Sequence, residues 1–119
     1  MQSRLETLNL ELAEKLNSMS VSAANREVML ILSEKLASLP VEVVQHLPKS
    51  FEIQSYTVSQ EHVDALDDRY FSEEKAGNLA GASASFMAAR LLSAVMSWQG
   101  ASNHFDLCEA AYEAHFSHG

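Results

Sequence analysis

The stretch from Gly77 to Trp98 reads GNLAGASASFMAARLLSAVMSW and has the periodicity of a helix of about six turns. Small side chains recur in it every fourth residue, in two adjacent rows. One row is Gly77, Gly81, Ser85, Ala89, Ser93 and Ser97, and the other is Ala76, Ala80, Ala84 and Ala88. Residues four apart lie one above the other on a helix, so each row forms a shallow ridge that another backbone can approach closely. The stretch therefore predicts a tightly packed central helix.

Shorter amphipathic segments surround this helix. Apolar residues spaced by three and four predict a helix over 2–18, a second that begins after a cap at Ser22 and ends at Pro40, a third from a cap at Ser59 to about Lys75, and a last one over 103–116. Val41–Leu47 is a candidate short helix, and residues near 50–58 are predicted as an ordered, extended connection without a partner strand. We therefore expect an all-α fold, an irregular bundle of four to five helices around the central one.

Composition places the chain among globular proteins of one domain, residues 1–119. Its formal net charge of -8 repels nucleic acid and anionic membranes and attracts a basic protein or a cation. Residues 60–119 hold nine acidic side chains against three Lys and Arg, so most of the excess lies in the second half. Cys108 is the one cysteine, which excludes an internal disulfide and fits a cytoplasmic protein. Arg90 in the middle of Leu79–Trp98 argues against a membrane span.

Carboxylates follow one edge of the third helix. Glu61, Asp64 and Asp68 keep the i, i+3, i+7 spacing of one helix face, and Glu73 and Glu74 come further along the chain. Crowded carboxylates can bind a basic partner or a cation, whereas a plain solvated face is the alternative interpretation. We take these five residues as the predicted partner-binding surface.

His104 and Cys108 are four residues apart on the apolar side of the last helix. Imidazole and thiolate at this spacing can share a soft metal such as zinc, and His62 is a candidate for a further ligand. The alternative is that both are core or interface residues, since Cys is among the most buried residue types. Two ligands do not make a site, and no known zinc spacing occurs in the chain.

Arg90 is the one full charge between Lys75 and Asp106. On a central helix its guanidinium must reach solvent or a carboxylate, and the third helix offers such carboxylates. The expectation is an ion pair at the surface of the bundle, with contact to an anionic ligand as the alternative.

No catalytic motif, glycine-rich phosphate loop or cofactor signature occurs, which favours a non-enzymatic protein without a cofactor. The leading hypothesis is a protein interaction module whose acidic helical surface binds or neutralises a basic protein. The alternative is a metal- or small-molecule-binding helical protein that uses His104 and Cys108. A homodimer is also predicted, from aromatic side chains of the kind that anchor interfaces: Trp98, Phe105, Tyr112 and Phe116.

Overall fold

The computed structural model describes the backbone of residues 4–116 and the side chains of residue 7 and residues 10–115. Six helices follow one another along this part of the chain: α1 Arg4–Asn17, α2 Val21–Ala37, α3 Val41–Val44, α4 Gln60–Lys75, α5 Leu79–Gln99 and α6 His104–Phe116. Five of them have 13 residues or more, and α3 is a single turn of four. The predicted all-α bundle is confirmed.

The central helix of the bundle is α5. It packs against α2, α3, α4 and α6, most extensively against α4 and α6. Its buried positions lie on several sides: Ala82, Ala84, Ser85, Ala88, Ala89, Leu91, Leu92, Ala94 and Val95. Both predicted rows of small residues contribute, with Ala88 and Ala89 fully buried. Small side chains at these positions let neighbouring helices pack close on several sides, as the sequence predicted.

The first residues of the predicted helix 77–98 do not belong to it. Gly77 has a φ of +82°, which favours glycine, and forms the turn between α4 and α5. Asn78 then caps α5, because its side-chain oxygen accepts a hydrogen bond from the backbone N–H of Gly81 at 3.1 Å. Ala80 is exposed, and Leu79 is 72% exposed. The packed part of the small-residue pattern therefore starts about one turn later than its sequence periodicity suggests.

The caps of the other helices follow the same local chemistry. Ser59 accepts a hydrogen bond from the His62 N–H and begins α4, which confirms the prediction. The predicted cap at Ser22 is wrong, because the cap of α2 is Ser20, whose hydroxyl accepts from the Ala23 N–H at 3.2 Å. Two serines two residues apart both fit the sequence signal, and the α1 to α2 turn selects the first.

On α1, the predicted apolar stripe is buried at Leu16, while its Leu5 and Leu8 side chains lie outside those described.

The connection between α3 and α4 is ordered, as predicted for residues 50–58, but it is not extended throughout, because the Tyr56 N–H donates to the Glu52 carbonyl at 2.9 Å in a turn. Its Ile53 and Val58 side chains are buried in the core. Gln99, at the end of α5, accepts a hydrogen bond from the Val58 N–H at 3.3 Å and donates to the carbonyls of Ile53 and Tyr56. A single amide side chain therefore satisfies backbone groups of a segment that has no strand to pair with.

Helix α5 is long and apolar enough to span a membrane by length and composition. Half of its most apolar 18-residue window is buried inside the bundle. Core helices of globular proteins satisfy the same criterion, so this property follows from the central position of α5.

Candidate functional site

The exposed side of α4 carries the first three carboxylates of the predicted partner-binding surface. Glu61, Asp64 and Asp68 are all exposed. Phe71, which is 64% exposed, continues the same line. We call Glu61, Asp64, Asp68 and Phe71 the α4 outer stripe. The ion pairs between side chains within the described part of the chain do not include its carboxylates, and exposed Lys75 follows at its end.

Glu73, the fourth predicted residue, lies on a different side of α4 and faces α5. Its carboxylate accepts hydrogen bonds from the Ser85 hydroxyl at 2.7 Å and from the Asn78 amide at 3.1 Å. The Arg69 Nε–H donates a third, at 3.0 Å. A Cβ atom at Gly81 would collide with this carboxylate and with the Asn78 amide, so glycine leaves room for them. Glu73 therefore joins α4 to the start of α5 and satisfies the fully buried Ser85 hydroxyl.

These hydrogen bonds predict a pH-dependent contribution to stability. The Ser85 hydroxyl, followed by Arg69, holds the pKa of Glu73 below its usual value. A carboxyl whose pKa is lower in the folded chain adds stability above its ordinary pKa, and this contribution is lost as the pH falls through the lowered value. We expect Glu73→Gln to be less stable than the native chain near neutral pH, with the difference shrinking in acid. Urea denaturation at several pH values measures it.

Glu61→Gln is the matched control, because Glu61 is an exposed glutamate of the same helix. Glutamine at 73 can still accept from Ser85, so the comparison isolates the charge. Equal pH profiles for the two variants would contradict the role assigned to Glu73.

Glu74, the fifth predicted residue, is exposed but lies on another side of the helix from the α4 outer stripe. Hydrogen bonding to the Glu74 carboxylate, followed by the negative charge of that group, raises the pKa of Tyr70. The Tyr70 ring also packs against Phe86 of α5, with 5.4 Å between centroids. Tyr70 therefore forms an aromatic contact between α4 and α5.

Arg90 forms the ion pair with α4 that the sequence predicted. Its guanidinium donates to both carboxylate oxygens of Asp67, at 3.0 and 3.2 Å, and lies 5.7 Å from the centre of the Phe86 ring. The acidic partner is not one of the carboxylates singled out in the sequence. Only the packing of α4 on α5 selects Asp67, because it places this residue of α4 beside the guanidinium.

His104 and Cys108 lie beside a groove between α1 and α6. The groove has a volume of about 620 Å³ and is lined by Ala13, Asn17, His104, Phe105, Cys108, Glu109 and Tyr112. The His104 Nε2 is 2.7 Å from the Met19 carbonyl oxygen, so this imidazole helps to hold the end of α1. Burial raises the pKa of the Cys108 thiol, and a raised pKa disfavours the thiolate that binds metals.

Residues 4–116, as described, bring no three His, Cys, Asp or Glu side chains together in a metal-binding arrangement. The His62 Nε2 contacts the His46 carbonyl oxygen at 3.1 Å, away from the residues that line the α1 and α6 groove. Burial, followed by the charge of Arg69, lowers the pKa of His46, and Glu73 opposes this shift. The predicted His62, His104 and Cys108 therefore do not form one ligand set.

Sequence reasoning missed a carboxylate that joins α5 to α6. Both Glu113 oxygens accept hydrogen bonds, one from Ser93 and the other from Ser97, each at 2.9 Å. The serines are four residues apart and belong to a small-residue row, so the spacing was visible in the sequence. Their acceptor was not, because its identity depends on how α6 crosses α5.

Phe105 is 70% exposed and Tyr112 is 37% exposed on α6, so two of the predicted interface aromatics are accessible. Trp98 is instead partly buried and packs against the core, and its Nε1–H donates to the Asn25 carbonyl at 3.3 Å. The Phe116 side chain lies outside those described. The homodimer stays a prediction.

Fold and site geometry define an all-α helical protein with an acidic, aromatic-containing surface on α4. Comparison of the chain with protein-family models, curated protein sequences and solved structures gave no match.

Proposed function

We propose that this protein is a non-enzymatic interaction module that binds a basic protein through the α4 outer stripe. The proposal rests on the exposure of Phe71, which is 64% exposed and lies on the same face of α4 as three exposed carboxylates. Aromatic residues are frequent anchors of protein interfaces. Surrounding carboxylates attract Lys and Arg side chains and disfavour acidic competitors.

The contacts on the inner face of α4 support this proposal. Three residues of α5 contact this face of α4. Arg90 donates to Asp67, Ser85 donates to Glu73, and Phe86 packs against Tyr70. The outer face of α4 is thereby presented on a helix that is fixed to the centre of the bundle. A partner would then bind with little cost for ordering the helix.

Charge supports a basic partner in particular. The chain carries a formal net charge of -8, and its second half contributes most of the excess. Such a field speeds association with a positively charged protein, and salt weakens the effect. Binding through the α4 outer stripe should therefore be fastest at low ionic strength.

Neutralising the α4 outer stripe tests the proposal. We expect the Asp64→Asn, Asp68→Asn double variant to associate about tenfold more slowly with the partner and to show a flatter salt dependence. Asp64 also accepts a hydrogen bond from Gln60, which asparagine can retain. The partner is isolated from native lysate at low and high salt, and its association rate is then measured by surface plasmon resonance.

The matched control is Glu11→Gln, Glu14→Gln, which removes the same two charges from exposed positions of α1. An association rate that falls equally in both variants would assign the effect to net charge rather than to this surface. Phe71→Ala should mainly raise the dissociation rate, because an anchor contributes after encounter. If the α4 double variant and Phe71→Ala both bound the partner as tightly as the native chain does, the proposal would be overturned.

The alternative function, binding of a small molecule beside His104 and Cys108, is favoured by the groove between α1 and α6. Its lining is mainly apolar, which suits an apolar ligand better than a metal ion. This alternative remains a prediction.

A further inference from the structure

Lys35 is a buried lysine whose ammonium has no hydrogen-bond partner among the residues that the structure describes. It follows Val28 and Leu32 along the inner face of α2, and the residue is only 7% exposed. Its Nζ atom is inaccessible to solvent and forms no hydrogen bond in the structure described for residues 4–116. Burying an ammonium group is costly unless an acceptor or a counter-charge compensates it. No group in the described fold compensates the cost of burying this ammonium.

A cleft lies beside Lys35, where α2 meets α6. Its volume is about 320 Å³, and its lining combines donors with apolar surface: Ile31, Glu34, Lys35, Ser38, Ala114 and His115. The Ser38 hydroxyl donates to the Lys35 carbonyl oxygen at 2.9 Å, within the end of α2. Lys35 and His115 are the two residues of this lining whose side chains can carry positive charge, and the Lys35 Nζ atom is itself buried beside the cleft.

We propose that this cleft binds a small aliphatic monocarboxylate, with its hydrocarbon part against Ile31 and its carboxylate on the Lys35 ammonium, which turns from its buried position into the cleft when the ligand binds. The flexible lysine stem lets the ammonium turn toward an anion in the cleft. The exposed Glu34 carboxylate at the same cleft repels a second negative charge, so a singly charged acid fits better than a phosphate dianion. This site is separate from the α4 outer stripe and does not depend on it.

The basicity of the lysine agrees with this arrangement. Burial lowers the pKa of Lys35, because the charged form loses hydration. A carboxylate bound next to the amine favours the charged form and should raise the pKa again. Ligand binding and protonation of Lys35 are thus coupled.

The site is tested by titration with sodium butyrate, which is monitored by backbone amide NMR. Parallel titrations with sodium chloride and with inorganic phosphate at equal ionic strength provide the comparison. We expect saturable shifts confined to the ends of α2 and α6, with phosphate weaker than butyrate. Lys35→Met should bind butyrate at least about tenfold more weakly. It should also raise the melting temperature without ligand, because an unpaired buried charge is removed. Lys49→Met, at an exposed lysine, is the matched control and should leave butyrate binding unchanged.

Lys35→Gln provides a second neutral variant in case Lys35→Met does not fold, and it should lose binding in the same way. Absence of saturable shifts with butyrate in the native chain would overturn the proposal. So would shifts located elsewhere, or butyrate affinity that a folded Lys35 variant retains.

Discussion

Leu92→Ala should reduce the free energy of unfolding by about 2 to 5 kcal/mol, the range for a buried leucine whose removal leaves a cavity. Leu92 is fully buried near the middle of α5, the helix on which α2, α3, α4 and α6 pack. Neighbours on several sides cannot all move to fill the space, so the upper half of this range is expected. Urea denaturation followed by far-ultraviolet circular dichroism measures the change. For a domain of ordinary stability, it is a large fraction of the total.

The same substitution at Leu79 is the control, because Leu79 is 72% exposed at the first residue of the same helix. Leu79→Ala should change the free energy of unfolding by no more than about 0.5 kcal/mol. Similar values for the two variants would contradict the central position of α5. A large effect at Leu79 alone would place the buried face of the helix elsewhere.

Ala89→Leu should destabilise the protein by about 1 to 3 kcal/mol, because it adds side-chain volume at a closely packed position. Ala89 is fully buried and belongs to the first small-residue row of α5. Alanine and leucine have similar helix propensities, so the loss reports packing between helices rather than helix formation. Chemical denaturation again provides the measurement.

Ala80→Leu tests the same change at an exposed position of the second small-residue row. Its stability should stay within about 0.5 kcal/mol of that of the native chain. If Ala89→Leu were equally harmless, small side chains would not be needed for close packing on α5.

The predicted binding surface divides according to its position around α4. Glu61, Asp64 and Asp68 keep a spacing that places them on one face, so their shared exposure follows from helix geometry. Glu73 is also a glutamate of α4, yet its carboxylate accepts a hydrogen bond from Ser85 of α5. The α4 sequence places Glu73 on another side of the helix from these three residues, but it does not identify Ser85 as the partner of its carboxylate.

The burial of Lys35 could have been predicted from its sequence position. Its spacing from Val28 and Leu32 places it on the buried line of α2, where a lysine conflicts with the pattern. Periodicity therefore indicates that the side chain faces inward. It does not indicate the cleft, because Ala114 and His115 reach that place from the other end of the chain.

The sequence by itself determined the helices and most of their ends, because apolar spacing, capping side chains and proline act within a few residues of the chain. It also determined that α5 occupies the centre, since only small side chains allow several helices to pack closely against one rod. The tertiary structure decided which polar groups meet: Asp67 with Arg90, and Glu113 with two serines of α5. These pairings depend on the angles and offsets at which helices cross, and such distances between separate parts of the chain are not encoded in the periodicity of any one helix.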